Sequence, residues 1–317
     1  MKKVSLGIDI GGTNTVFGFI DIDGNSIAEG SISTVKKNTI EGFISDLKDE
    51  FLKVKSTIKE EIEILGIGIG APNANHAKGT IENAPNLQWK GVVPLVDIVS
   101  KAFELPAFMT NDANAAAIGE MIYGGAKNMK DFMVITLGTG LGSGIIVNGE
   151  LLYGHHSLAG EVGHMIISPG GRNCGCGRKG CLETYVSATG VKRTVYKLLA
   201  DHLEESELRD IPFNKLTAKM VADAANRGDI IAKEVFEHTG RMLGEVLANA
   251  AAVTNPEAIF LFGGLAKAGD LIFNPTIEHF RKNLLFIYND EIKILPSEIE
   301  GNAAVLGASA LVWKELN

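Results

Sequence analysis

The chain has 317 residues, 45% hydrophobic and 21% charged, so it is neither disordered, collagen-like nor a small disulfide scaffold. Thirty basic against 38 acidic residues give a net charge of −8, which gives no support to non-specific binding of nucleic acid or membrane surfaces. The length predicts about two domains at roughly 150 residues each. The chain shows no signal peptide and no apolar run near the roughly 18 residues of a membrane span, so we expect a soluble cytoplasmic protein.

Apolar periodicity and turn residues predict an alternation of strands and helices. In chain order we expect strands at 3–10 and 16–22, a helix at 39–59, a strand at 62–69, an irregular stretch at 71–93, an amphipathic stretch at 94–103, a strand at 107–110, a helix at 113–123, strands at 132–137 and 145–147, helices at 185–200 and 217–254, a strand at 258–262 followed by a short helix, a strand at 292–296 and a closely packed helix at 303–311.

The start of the chain and its middle share one pattern. A strand, a turn of Gly and Thr, a second strand and the pair Asp23-Gly24 recur about 127 residues later, ending at Asn148-Gly149. The repetition predicts two domains of the same basic plan, and the alternative is a coincidence of hairpin signals. No low-complexity linker separates the halves, so we expect a packed hinge between them.

Two glycine turns are candidates for binding phosphate. Asp9 ends the first strand before Gly11, Gly12 and Thr13, so a carboxylate able to hold Mg²⁺ or its water adjoins a turn that a phosphate can approach closely. The turn at 138–144 offers a similar cradle, although neither turn is a Walker A loop or a dinucleotide fingerprint. Each turn alone is more often a simple hairpin, but together they favour a nucleotide between two domains. Gly263 and Gly264 could pack against an adenine or a ribose, although this signal is weak alone.

The three cysteines of the chain, Cys174, Cys176 and Cys181, lie within eight residues and ten residues after His164. An odd number in so tight a cluster argues against a disulfide framework. Thiolates and imidazole are the ligands that zinc prefers, and Cys3His is a standard structural set. The spacing therefore predicts a structural Zn²⁺ site, with a group of surface thiols as the alternative.

Polar residues near these motifs suit the chemistry of a sugar hydroxyl. Asp112 follows Asn111 where a strand meets a helix, so it is either a helix N-cap or a general base. Carboxylates and amides that could hydrogen-bond a sugar are Glu161, His164, Glu183 and Asn86. On the sequence alone, each of these four residues could equally well be an ordinary surface residue.

The motifs occur in an order that resembles the ROK family (repressor, open reading frame, kinase) over essentially the whole chain. They are Asp9-x-Gly-Gly-Thr13, Asn111-Asp112-x-Asn114, Leu137-Gly-Thr-Gly-x-Gly142, Glu161-x-Gly-His164 and Cys174-x-Cys-Gly-x-x-Gly-Cys181-Leu-Glu183. The resemblance implies an α/β actin-like, hexokinase-type fold, with two ribonuclease-H-like domains and a cleft between them. It also implies ATP-dependent phosphorylation of a hexose or amino sugar. We expect one domain at 1–112 plus 303–317 and a larger one, with the zinc loop, at 113–302.

The resemblance also implies roles for individual residues. Asp112 would be the catalytic base, and the sugar would be bound by Asn86, Asn111, Asp112, Glu161, His164 and Glu183. ATP and Mg²⁺ would be bound by Asp9, Gly11, Gly12, Thr13, Gly138, Thr139, Gly140, Gly263 and Gly264, and zinc by His164, Cys174, Cys176 and Cys181. We expect glucose as the substrate, phosphorylated at its 6-hydroxyl, and a homodimer or higher homo-oligomer as the assembly.

One departure from the family pattern bears on the substrate. Residues 71–76 read Ala-Pro-Asn-Ala-Asn-His, where many bacterial glucokinases of the family have Pro-Gly-x-Val/Ile-Asp. N-acetylmannosamine, N-acetylglucosamine, fructose and allose therefore stay open as substrates. A sugar-responsive regulator is a further alternative, but only eight residues precede Asp9, too few for the helix-turn-helix of family repressors. An actin- or chaperone-like ATPase is the third.

Overall fold

The computed structural model describes residues 1–36, 38–84, 86–288, 291–299 and 302–316, and they form two units. The first unit comprises Met1–Met129, Leu151–Ala159 and Glu298–Asn317, and the second comprises Lys130–Glu150 and Gly160–Ser297. Each unit has its own sheet and its own hydrophobic core.

The first unit is built on a mixed five-stranded sheet. Its strands and helices are β1 (Lys2–Ile10), β2 (Asn14–Asp21), β3 (Ser26–Ser33), α1 (Ile40–Lys55), β4 (Ile62–Gly70), β5 (Ala74–Asn75), β6 (Thr80–Glu82), β7 (Val92–Val93), α2 (Leu95–Phe103), β8 (Ala107–Thr110), α3 (Asp112–Ile122) and α8 (Ala303–Leu316). The sheet has the order β3-β2-β1-β4-β8, in which β1, β2 and β3 are antiparallel and β1, β4 and β8 are parallel. Strands β5, β6 and β7 form a small separate sheet.

One face of the first sheet is adapted to a close helix. Gly7 of β1 and Gly68 of β4 lie side by side in the register, and an added Cβ on either residue would overlap the backbone of α8. Gly307 of α8 in turn meets the backbone of α3 at Ala115. Because these positions carry no side chains, α8 packs directly on the sheet and on α3. The last helix, expected to return to the N-terminal domain, contacts β1, β4 and α3 in its described part, and Asn317 lies outside the described residues.

The second unit repeats the plan of the first. Its strands and helices are β9 (Phe132–Leu137), β10 (Leu141–Val147), β11 (Glu150–Leu151), α4 (Ala188–Asp201), α5 (Ala218–Arg227), α6 (Ile230–Thr254), β12 (Ala258–Phe262), α7 (Asp270–Asn283) and β13 (Lys293–Pro296). The sheet order is β11-β10-β9-β12-β13, again with an antiparallel hairpin first and parallel strands after it. The predicted internal repeat is therefore confirmed at the level of topology.

Several predicted elements differ in their limits. The helix predicted at 217–254 is two helices, because Gly228 ends α5 in a left-handed conformation and Asp229 caps α6. Strand β10 begins at Leu141, so the glycine turn of the second unit covers only 138–140. Strand β3 was not predicted, and α7 is a 14-residue helix where a short one was expected. The stretch 71–93, predicted to be irregular, contains β5, β6 and β7.

The division into units also differs from the expected domain limits. Helix α3 lies in the first unit, whereas the expected boundary after Asp112 assigned it to the second domain. The physical reason is the packing of α3 on α8 through Gly119 and Gly307, whose backbones approach too closely to admit a side chain. Residues 151–159, from the second residue of β11 onward, likewise belong to the first unit.

Candidate active site

In the first unit, the carboxyl ends of three parallel strands bring the first group of predicted residues together. Asp9 of β1 is paired in the register with Gly70 of β4, which is paired with Thr110 of β8. Side chains in one such row point to the same face of a sheet, and Gly70 contributes none. Gly70 therefore places no side chain beside the Asp9 carboxylate, whose Oδ1 would lie 3.8 Å from a Cβ at that position, at the edge where Asn111 and Asp112 follow β8.

Asp9 and Asp112 interact electrostatically. Burial, with a further contribution from the Asp112 carboxylate, raises the pKa of Asp9 to about 6. A buried carboxylate with a second carboxylate nearby is a donor set that suits a hard divalent cation such as Mg²⁺. The neighbouring side-chain oxygens of Thr110 and Asn114 are buried, and among the described residues they have no hydrogen-bond partner. These residues fit a hydrated cation at this edge of the sheet.

The start of α3 separates the two interpretations of Asp112. Asn111 is the N-cap, and its Oδ1 accepts a hydrogen bond from the backbone N–H of Asn114 at 2.7 Å. Asp112 is the first helical residue and its side chain is exposed, with Oδ1 accepting only from the N–H of Ala113 at 2.9 Å. The cap is thus supplied by Asn111, and the second carboxylate oxygen of Asp112 has no hydrogen-bond partner among the described residues.

The glycine turn of the first unit adjoins a predicted sugar-binding residue. The N–H of Gly11 donates to the carbonyl of Asn14 at 3.0 Å and closes the turn. A Cβ added to Gly12 would lie 3.1 Å from the Cβ of Asn86, so the two residues are in contact. Thr13 and Asn86 are both exposed. A candidate for phosphate binding and a candidate for sugar binding therefore lie next to each other in this unit.

The unusual loop at 71–76 is held by its own polar side chains. Asn73 adopts a left-handed conformation (φ 51°), and its side-chain amide donates to the carbonyl of Glu82 at 3.1 Å. His76 donates from Nδ1 to the carbonyl of Met109 at 2.9 Å, and its ring stacks on Tyr153 with centroids 4.0 Å apart. The side chains of Asn73 and His76 are thus engaged within the first unit.

In the second unit, the two other predicted nucleotide-binding turns lie at one edge of the sheet. Strands β9 and β12 are parallel neighbours, so the turn 138–140 after β9 lies beside Gly263 and Gly264 after β12. Gly263 has φ 103°, and an added Cβ would lie 2.7 Å from the carbonyl oxygen of Leu137. That carbonyl accepts a hydrogen bond from the N–H of Leu265 at 3.1 Å. Only glycine fits this position.

Glu183 connects the glycine turn to the cysteine cluster. Its Oε2 accepts a hydrogen bond from the N–H of Leu141 at 3.1 Å, and a Cβ on Gly140 would overlap the same oxygen. Its Oε1 lies 3.6 Å from the sulfur of Cys174. A predicted sugar-binding carboxylate is thus in direct contact with the turn predicted to bind ATP.

The turn that carries Glu161 and His164 is anchored on β10. The hydroxyl of Ser143 donates to the carbonyl of Gly160 and accepts from the N–H of Val162 at 3.2 Å. The side chain of Glu161 is 56% exposed, and its Oε2 lies 3.8 Å from Nε2 of His164. The opposite ring nitrogen, Nδ1 of His164, faces the sulfur of Cys174 at 3.6 Å.

The cysteines and His164 have the geometry of a metal site. The ligand atoms of His164, Cys174, Cys176 and Cys181 all lie within 4.8 Å of one another, and the sulfurs of Cys176 and Cys181 are 3.6 Å apart. Zinc–sulfur bonds of about 2.3 Å place the sulfurs of a tetrahedral site about 3.8 Å apart. The donor set and its spacing therefore fit a four-coordinate Zn²⁺ ion that leaves Nε2 of His164 free to face a ligand.

A backbone hydrogen bond also favours the thiolate form of one cysteine in this cluster. The N–H of Arg178 hydrogen-bonds to the sulfur of Cys176 and is the largest influence lowering the pKa of that thiol, to about 6. Zinc binds the thiolate form, so Cys176 is the ligand that ionises most easily, whereas burial raises the pKa of the Cys174 and Cys181 thiols. The guanidinium of Arg178 also donates to the carbonyl of His164 at 2.6 Å.

Two residues that position the site, Ser143 and Arg178, were not identified from the sequence. Ser143 lies inside the run of glycines at 138–144, where the motif drew attention to the backbone alone. Arg178 lies between two of the cysteines, and its contact with His164 depends on the fold of the loop. No spacing rule identifies either residue.

Among the described residues, no helix combines the length and the apolar character needed to cross a bilayer. Two units of one topology, each with a glycine turn between its first two paired strands, define an actin-like α/β protein. The fold class expected from the resemblance is therefore confirmed.

Comparison with known proteins gives the family. The model of the ROK family matches residues 5–315, and the chain belongs to this family. It is 37% identical to a glucokinase of Halalkalibacterium halodurans, over 98% of this chain and 96% of that protein. It is 32% identical to a xylose repressor of Caldicellulosiruptor bescii, over 80% of this chain and 63% of that protein.

Among solved structures, the chain resembles a ROK family glucokinase from Streptomyces griseus in complex with glucose and AMPPNP. The TM-score is 0.81 at 32% identity, covering 98% of this chain and 99% of that one. The predicted family is thereby confirmed.

Proposed function

We propose that this chain is an ATP-dependent glucokinase that phosphorylates the 6-hydroxyl of glucose. The relatives with this activity in their names match nearly the full length of the chain. One structural observation carries the proposal: in each unit, a residue proposed to bind the sugar contacts a glycine proposed to bind phosphate. Asn86 packs against Gly12, and Glu183 packs against Gly140. Phosphoryl transfer requires this neighbourhood, because the attacking hydroxyl must reach the phosphorus.

In this proposal Asp112 is the general base. Its carboxylate removes the proton from the 6-hydroxyl while that oxygen bonds to the γ-phosphorus and the bond to the leaving oxygen of ADP breaks. The proton ends on Asp112, and the electron pair leaves with ADP. Support comes from the exposure of Asp112 and from the capping of α3 by Asn111, which leaves the carboxylate available.

The sugar hydroxyls would be bound by Asn86, Asn111, Glu161, His164 and Glu183. The Oδ1 of Asn111 is already engaged, so this residue would offer the two N–H donors of its amide. His164 would offer Nε2, which points away from the cysteines. Carboxylates and amides together match a ligand whose hydroxyls both donate and accept hydrogen bonds.

The phosphates of ATP would be held by backbone N–H groups and small side chains of the glycine turns. These residues are Gly11, Gly12, Thr13, Gly138, Thr139, Gly140, Gly263 and Gly264. Mg²⁺, when bound near Asp9, neutralises charge on the phosphate oxygens. Zinc, when bound by His164, Cys174, Cys176 and Cys181, rigidifies the loop that carries Glu161 and Glu183. The homo-oligomer and the cytoplasmic location stay predictions.

A sugar panel tests the proposal. ADP release from Mg·ATP is measured on zinc-replete protein with glucose, fructose, allose, N-acetylglucosamine and N-acetylmannosamine. We expect kcat/KM for glucose to exceed every other value by at least roughly 10-fold, because each other sugar either moves a hydroxyl that the site would bind or replaces it with a bulkier acetamido group. Preference for an acetamido sugar would support a kinase with a substrate other than glucose. It would also implicate the loop at 71–76 in specificity.

The second candidate is a sugar-responsive regulator, which the relationship to a xylose repressor favours. Glucose binding measured calorimetrically, together with no ADP release from any sugar, would support this candidate and contradict the kinase. Asp112→Asn in the same assays is the control, because it should bind glucose and release little ADP.

A further inference from the structure

The second unit contains a group of positively charged and imidazole side chains that the proposed reaction does not use. They come from the zinc loop, from α4 and from α6, and all but the lysine are partly buried. We call them the cation cluster, and its members are Arg172, Arg193, Lys197, His238 and Arg241.

Arg172 is fixed against α4 by neutral acceptors. Its Nη1 donates to the carbonyls of Thr184 at 2.8 Å and Gly190 at 3.1 Å, and its Nη2 donates to the hydroxyl of Thr194 at 3.0 Å. The guanidinium lies over the ring of Tyr185, 4.4 Å from the centroid. These contacts hold the group in place without neutralising its charge.

Two further cations lie on the same side of α4. Arg193 and Lys197 are separated by one helical turn, and Arg193 directly precedes Thr194, the residue whose hydroxyl accepts a hydrogen bond from Arg172. Arg193 donates from Nη1 to the carbonyl of Asn173 at 3.1 Å, so it too is engaged by a neutral group.

Helix α6 contributes His238 and Arg241. Arg241 donates from Nη2 to Nδ1 of His238 at 3.1 Å, and because arginine can only donate, the imidazole is neutral and carries its proton on Nε2. Burial, together with the nearby charges of Arg241, Arg172 and Lys197, lowers the pKa of His238 to about 4. The ring meets Tyr185 edge-on at 6.4 Å, which brings it to the same aromatic side chain as Arg172.

The charge of the cluster is not balanced within the described part of the chain. Arg241 has one carboxylate partner, Glu245, at 3.5 Å. Neither Arg172 nor Arg193 forms a salt bridge with a described residue. Like charges brought together in a partly buried place repel, and an anion bound among them would relieve that repulsion.

We propose that the cation cluster binds a small phosphate-bearing anion. Planar guanidinium groups suit phosphate oxygens, and Nε2 of His238 and the Lys197 ammonium add donors of the same kind. The ligand is inorganic phosphate or a phosphate monoester such as a hexose phosphate. The proposed kinase reaction uses none of these five side chains, so the proposal does not depend on that activity.

Binding is measured calorimetrically with inorganic phosphate on zinc-replete protein, in chloride buffer at constant ionic strength and pH 7. We expect saturable binding in the wild type, weakened at least roughly 10-fold in Arg193→Gln because one charge-assisted contact is lost. Lys192→Gln is the matched control: it lies on the same helix, but its Nζ sits over the ring of Phe213, 4.6 Å from the centroid. Its affinity should be unchanged.

His238→Glu provides a second variant. A carboxylate built into the cluster would replace the anion, so phosphate should no longer bind and should no longer raise the melting temperature. Glucose 6-phosphate is titrated in parallel: tighter binding that is lost in Arg193→Gln identifies a sugar phosphate as the ligand, and equal binding identifies phosphate itself.

The proposal is overturned if the wild type shows no saturable phosphate binding, or if Lys192→Gln weakens it as much as Arg193→Gln does. It is also overturned if phosphate has no effect while Arg193→Gln changes the oligomeric state in analytical ultracentrifugation. That result would assign the cluster to an interface between copies of the chain.

Discussion

The carboxylate of Glu183 accepts a hydrogen bond from the backbone N–H of Leu141 at 3.1 Å. Leu141 is the first residue of β10, immediately after the glycine turn, and the other carboxylate oxygen lies 3.6 Å from the sulfur of Cys174. One side chain therefore joins the zinc loop to the turn proposed to hold phosphate. The conformation of that turn therefore depends on a residue more than 40 positions further along the chain.

Replacing Glu183 separates this contact from the charge of the carboxylate. Glu183→Ala leaves the N–H of Leu141, a 6% exposed residue, without its acceptor, and we expect a loss of about 1–3 kcal/mol in the free energy of unfolding. Glu183→Gln retains an acceptor oxygen and should cost less than half of that. Urea unfolding of zinc-loaded protein measures both, and equal losses would contradict the role of the Leu141 contact.

Two glycines of one turn give a matched pair. A Cβ on Gly140 overlaps Oε2 of Glu183, whereas a Cβ on Gly138 has no described atom within 4 Å apart from its chain neighbours. Gly140→Ala should therefore destabilise the protein by about 1–3 kcal/mol through overpacking. Gly138→Ala should stay within about 0.5 kcal/mol of the wild type. Thermal unfolding without nucleotide makes the comparison, and similar melting temperatures for the two variants would refute it.

Asp112→Asn tests the proposed base. Because general-base catalysis typically contributes about 10²–10⁴-fold, we expect kcat to fall by at least about 100-fold while the melting temperature changes little. Asn111→Ala gives the contrasting stability effect, since losing the N-cap should cost about 1 kcal/mol of the free energy of unfolding. If Asp112→Asn kept its turnover, the side chain would have no role in proton transfer.

Asp9 makes stability depend on pH. Its pKa is raised to about 6 in the folded protein from 3.8, so the folded state holds the proton more tightly than the unfolded state. The stability that results is present below about pH 4 and is lost as the pH rises from about 4 to 6, by at most about 3 kcal/mol.

Asp9→Asn removes this ionisation. Without Mg²⁺ and nucleotide, the variant should gain stability over the wild type as the pH rises through that window. In a separate assay with Mg·ATP, it should lose kinase activity. Urea unfolding at pH 4.5, 5.5 and 7 follows the difference, with the exposed Asp210→Asn as control. A difference that does not change with pH would show that Asp9 ionises normally.

Zinc content tests the cysteine cluster. Elemental analysis of purified wild-type protein should find one zinc per chain, and Cys176→Ser should lower both the zinc content and the affinity for glucose. Lys179→Gln, an exposed change in the same loop, should keep both. Wild-type protein without zinc would refute the metal site, and loss of zinc with unchanged sugar affinity would limit its role to folding.

Local features of this protein could be predicted from the sequence because their parts are close along the chain. The three cysteines lie within eight residues, and their glycines permit the tight turns that bring the sulfurs together. The repeated strand, turn and strand was predictable for the same reason, since a hairpin is formed by neighbours in sequence. Asn148 and Gly149, at φ 54° and 79°, have the left-handed conformations that such a turn requires.

Other features required contacts between distant residues. Strand β3 shows no regular burial pattern and was missed, because it lies at the edge of the sheet and its pairing with β2 defines it. Whether Asn111 or Asp112 caps α3 depended on where the helix begins. The proximity of Asp9 to Asp112 comes from the parallel pairing of β1, β4 and β8, and only that pairing brings two carboxylates about 100 residues apart into electrostatic contact.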